Sequence, residues 1–125
     1  MKRATYLFLF FAIVFSSCSK EEMEPIQACG TENALVDLPW LAELVEEQLN
    51  SEIGKKYSYI SKGIYQGQTI FSVQNCCPFC NSIYFAYDCN GKNLGFLGLG
   101  GIENDEITNW EVIWKSTENV CNFQE

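Results

Sequence analysis

The chain has 125 residues, with sixteen Asp and Glu against eight Lys and Arg and a formal charge of −8. That length supports one domain with one core, and the acidic balance argues against nucleic acid, whose phosphates need clustered basic residues. Histidine is absent, which removes Ser-His-Asp and Cys-His nucleophile pairs and the usual zinc and iron sites, and nothing calls for a cofactor.

Met1-Lys2-Arg3 is a short positive segment, followed by ten apolar residues, Tyr6 to Phe15, and then Ser16-Ser17-Cys18. A bilayer needs about 20 apolar residues to span, so this run is too short to be a membrane anchor. Positive, apolar, then small residues is the layout of a secretory signal peptide, here residues 1–17. Phe15-Ser16-Ser17-Cys18 resembles a bacterial lipoprotein signal, although Leu is more usual at the position of Phe15. The resemblance implies that Cys18 becomes the first mature residue and carries acyl chains, and several chains anchor far more firmly than one. The alternative is an ordinary signal peptide beside a structural cysteine. Beyond the leader six lysines face sixteen acids, with no arginine, a net charge of −10. Ser19-Lys20-Glu21-Glu22-Met23-Glu24 resembles the Bacteroidetes signal that exports lipoproteins to the cell surface, and it also reads as a solvated acidic tether. The expectation is an outer-membrane lipoprotein facing the cell exterior, with a tether over 18–34 and a domain over 35–125.

Asp37-Leu38-Pro39-Trp40 opens the one clear helical pattern, with Asp37 or Leu38 as N-cap and Pro39 in the first turn. Leu38, Leu41, Leu44, Val45 and Leu49 form an apolar stripe, and Glu43, Glu46 and Glu47 take the opposite face. Gly54 as C′ residue, then Lys55 and Lys56, would end a helix over 38–53.

From Tyr57 the period changes to two. Strands are expected over 57–65, with a bulge at Gly63, then over 69–74 and 83–87. Asn90-Gly91 is a strong hairpin signal, and a fourth strand follows over 93–99. Trp110 to Trp114 alternates again as a less regular fifth. One amphipathic helix on a four- to five-stranded antiparallel meander is a two-layer α+β domain.

Seven cysteines in so short a chain indicate an oxidising compartment. With Cys18 acylated, the disulfide candidates are Cys29, Cys76, Cys77, Cys80, Cys89 and Cys121. A simple meander places Cys76, Cys77 and Cys80 at one end, and Cys29, Cys89 and Cys121 at the other. Three per end leaves two outcomes open: one bridge crosses, or each end holds one bridge and one free thiol.

Cys77-Pro78-Phe79-Cys80 matches the C-P-x-C motif of thioredoxin-like proteins, in which a helix N-terminus makes the first thiolate reactive. Strand-like residues follow here, so a structural hairpin bridge is the better reading. A zinc site is disfavoured by the lack of a second C-x-x-C. Glu103-Asn104-Asp105-Glu106 offers oxygens to calcium but lacks EF-hand spacing and reads as an acidic turn. Aromatic residues beyond those the core requires could form a sugar- or protein-binding face, although aromatics are also good strand formers.

Cys29-Gly30, Asp37-Leu38-Pro39-Trp40-Leu41, Tyr65-Gln66-Gly67-Gln68-Thr69, Cys76-Cys77, Tyr87-Asp88-Cys89-Asn90-Gly91-Lys92 and Gly100-Gly101-Ile102 resemble a group of small Bacteroidetes lipoproteins of uncharacterised function. A longer segment to Cys121-Asn122-Phe123 replaces that group's Cys-Pro-Asp-Phe ending. The resemblance implies a fold and no activity. The functional expectation is a lipid-anchored, non-enzymatic binding or assembly module with an unidentified protein or glycan ligand. Its alternatives are an envelope thiol-disulfide protein using Cys77 and Cys80, and a cystatin-like protease inhibitor.

Overall fold

A computed structural model describes residues 24–123, so the leader, Cys18 and the first part of the tether lie outside the described residues. The later part of the tether belongs to the domain. Ile26, Ala28 and Cys29 pack against the core, and the Ala34 N–H donates to the Ile26 carbonyl at 2.8 Å.

The one-turn helix α1 (Ala34–Asp37) leads through extended Leu38, the N-cap, into α2 (Pro39–Leu49), which Pro39 opens. The expected continuous helix is broken at Asn50-Ser51. Ser51 caps a new helix, α3 (Glu52–Tyr57), its Oγ accepting from the Gly54 N–H at 2.8 Å. Gly54 is therefore not a C′ residue. It is buried within α3, where a Cβ would collide with the Gln48 backbone. The apolar spacing survives this corner, which is why the two helices read as one.

Five strands follow: β1 (Ser58–Tyr65), β2 (Gln68–Asn75), β3 (Phe85–Tyr87), β4 (Asn93–Phe96) and β5 (Ile107–Lys115). They form one antiparallel sheet in the order β4-β3-β2-β1-β5. The first four make the expected meander. The fifth crosses to the far edge and pairs with β1. Gly63 does mark an irregularity, but the extra residue lies on β5. Lys62 faces Glu111 while Ile64 faces Thr108, and Asn109 takes a left-handed φ of 55°.

The helices cover one face of the sheet, where Leu41 and Ala34 pack with Ile60, Phe71, Ile113 and Trp114. On the other face Ile70, Ala86, Ile102 and Ile107 form a smaller cluster. The β4–β5 connection supplies Ile102 to it, pinned by the Ile102 N–H donating to the Phe96 carbonyl at 2.8 Å. This connection covers only part of the second face. No helix among the described residues is long and apolar enough to cross a membrane.

Candidate functional site

The uncovered part of the second sheet face is an open groove of about 560 Å³. Tyr59, Ser61 and Gln74 from β1 and β2 contribute its floor. Leu97, Gly98 and Asn104 from the β4–β5 connection line it, as do Trp110 and Val112 from β5 and Phe123 from the C-terminal segment.

Trp110 is fixed from several directions. The Asn109 bulge sets it beside Gly63, where a Cβ would stand 3.0 Å from indole Cε3 and 3.2 Å from Cδ2. Glycine thus lets the indole rest on the sheet backbone. Trp110 Nε1–H donates to Asn104 Oδ1 at 3.4 Å, and the ring stays half-exposed. Tyr59 packs edge-on to Phe123, ring centroids 5.0 Å apart, and Lys115 Nζ sits 4.9 Å from the Phe123 ring centre. Tyr84 OH donates to the Asn75 carbonyl at 2.9 Å. Burial, and then the neighbouring Tyr84, push the Tyr59 phenol above its ordinary value, so it stays a neutral donor at physiological pH.

The polar side chains are sparsely used. Ser61 Oγ donates to Gln74 Oε1 at 3.3 Å. The hydrogen bonds that Gln74 and Asn104 make engage only their oxygens, so both amide NH₂ groups remain donors. Ser72 lies opposite Ser61 on the same face, fully buried, and its hydroxyl has no partner among the described residues. The one charged lining residue, Glu111, is neutralised by Lys62 Nζ at 2.9 Å.

All six described cysteines are bridged: Cys29–Cys89, Cys76–Cys121 and Cys77–Cys80. This corrects the expected position of Cys121. Because β5 pairs antiparallel with β1, it ends beside the start of β1, and the C-terminal segment reaches Cys76 rather than Cys89. Val120 N–H donating to the Lys56 carbonyl (2.8 Å) and Asn119 Nδ2 to the Ser58 carbonyl (2.7 Å) hold that segment there. The ends hold four and two cysteines, and no bridge crosses.

Cys77–Cys80 closes a turn after β2, and residues 81–84 are not helical, so the dipole that activates a thioredoxin-like thiolate is missing. Residues 103–106, weighed as calcium ligands, form a 3₁₀ turn (Asn104–Glu106) in which Glu103 and Glu106 cap each other's backbone. Among the described residues no group of three or more acidic or cysteine side chains is placed to hold a metal ion.

Aromatic abundance signalled Tyr59, Tyr84 and Trp110. Gln74 and Phe123 were not singled out, and Asn104 was weighed only as a calcium ligand, because their meeting with Trp110 depends on the β5 crossover. No family model, curated protein or solved structure matches the chain.

Proposed function

We propose that this chain is a lipid-anchored envelope protein, held in the outer membrane through Cys18 and facing the cell exterior. Its disulfide-braced domain serves as a non-enzymatic binding module. The sheet-face groove carries this reading: a preformed, half-apolar concavity whose polar groups are spare and whose nearest acid is neutralised. The lipoprotein-like Phe15-Ser16-Ser17-Cys18 and the resemblance to small Bacteroidetes lipoproteins support the anchoring, and three bridges suit an oxidising location.

Cys18→Ala tests the anchor. The variant is expected to leave the membrane fraction with its domain folded, and retention after a salt wash refutes lipidation. A photo-crosslinking residue at Val112, in the groove, tests the module in intact cells against the same residue at Glu46 on the helix side. Equal labelling at both positions would show that the groove is not a binding surface.

A further inference from the structure

We propose that the groove takes a neutral oligosaccharide, an inference that rests on its being the binding surface. The C–H faces of a sugar ring carry slight positive charge and stack on the negative face of an aromatic ring. Trp110 suits that role, since its indole lies along the backbone at Gly63 and stays half-exposed. Tyr59 and Phe123, packed edge to face, add aromatic surface beside it.

Sugar hydroxyls both donate and accept, and so they match side chains that do the same. Gln74 and Asn104 have their NH₂ groups unspent, and Ser61 keeps accepting capacity.

Charge selects neutrality. The chain carries sixteen acids, and its one arginine, Arg3, lies in the leader, so no guanidinium is present to hold a carboxylate or sulfate. Of the two lysines beside the lining, Lys62 is paired with Glu111 and Lys115 lies over the Phe123 ring. A proline-rich peptide fits less well. Aromatic grooves that read such peptides present indole N–H and phenol O–H donors to peptide carbonyls. Here Trp110 Nε1–H is given to Asn104 and the Tyr84 hydroxyl to Asn75, which leaves the Tyr59 hydroxyl as the one such donor in the groove.

The test is an array of neutral hexasaccharides (α- and β-glucans, xylan, mannan and N-acetylglucosamine oligomers), with decaproline and polygalacturonate as competitors in class. Full-length protein in a non-glycosidic detergent is titrated by tryptophan fluorescence and calorimetry. At least one neutral hexasaccharide is expected to bind and to perturb the fluorescence. Trp110→Ala should weaken that binding about tenfold or more, and Trp110→Phe should retain part of it. Gln74→Leu should weaken it with the melting temperature unchanged, which separates lost contacts from lost folding. Failure of every neutral hexasaccharide to bind overturns the proposal. Decaproline binding in their place, lost in Trp110→Ala, keeps the groove as a binding surface and refutes the sugar, whereas polygalacturonate binding so lost refutes the neutrality of the ligand; either overturns the proposal.

Discussion

Two glycines in turns separate backbone strain from packing. Gly91 has φ +78°, and a Cβ there would stand 2.8 Å from Trp40 Cγ. Trp40 in turn donates its indole N–H to the Cys89 carbonyl at 3.0 Å and packs edge-on to Phe71. Gly67 has almost the same φ, +76°, with open space around it. Left-handed backbone costs a side chain roughly 1–2 kcal/mol, and overpacking adds about 1–3 kcal/mol. Gly91→Ala is therefore expected to destabilise clearly more than Gly67→Ala in urea unfolding. Equal losses would mean that Trp40 yields freely. Tyr59 gives a pH signature of its own. Its folded-state pKa is raised by burial and then by Tyr84, so its contribution is complete below the unfolded value of about 10 and is lost as pH rises through the folded value. Tyr59→Phe should flatten the alkaline decline measured by denaturant melts from pH 9 upward. An unchanged slope would show that Tyr59 ionises as freely in the folded protein as in the unfolded chain.

At the level of elements, the corner between α2 and α3 sets local propensity against packing. Helix propensity alone favours Ala over Gly by about 1 kcal/mol. At Gly54, however, a Cβ meets the backbone of Gln48, which has no flexible end to move aside. Gly54→Ala is expected to cost about 1–3 kcal/mol rather than to stabilise, as read from chemical denaturation. A gain in stability would show that the corner opens easily. The same corner marks what the sequence could convey. Pro39 at N1, the Asn90-Gly91 turn and the period-two runs are local signals, and each appears where its local physics requires. The break at Ser51 was hidden because the apolar stripe continues across it. The edge taken by β5 depends on non-local pairing with β1, including bulges at Ile113 and Asn109 that no pattern within β5 announces. The groove inherits this difficulty: Tyr59 and Gln74 were in plain strands, but their meeting with Trp110 and Asn104 depends on the crossover.

For the whole molecule, the disulfides join what the sheet alone leaves loose. Ten buried hydrophobic residues, six in one cluster and four in the other, make a small core for the described chain, and such domains commonly rely on bridges. Cys29–Cys89 ties the N-terminal entry to the end of β3, and Cys76–Cys121 ties the C-terminal segment to the end of β2. The misplaced Cys121 shows that cysteine spacing alone cannot locate a bridge whose strand crosses the sheet. Sequence separations of 60 and 45 residues correspond to about 4 kcal/mol each in the chain-entropy account, and a separation of 3 to less than about 2 kcal/mol. Partners are best removed together so that no stray thiol reshuffles the others. Cys29→Ser/Cys89→Ser should therefore lower the melting temperature under non-reducing conditions clearly more than Cys77→Ser/Cys80→Ser. Cys76→Ser/Cys121→Ser should fall close to the first pair, because it also releases the segment that carries Phe123 to the groove. An equal or larger loss for the Cys77–Cys80 pair would mean that the short bridge stabilises the folded turn itself, and that loop length does not govern how this domain is held together.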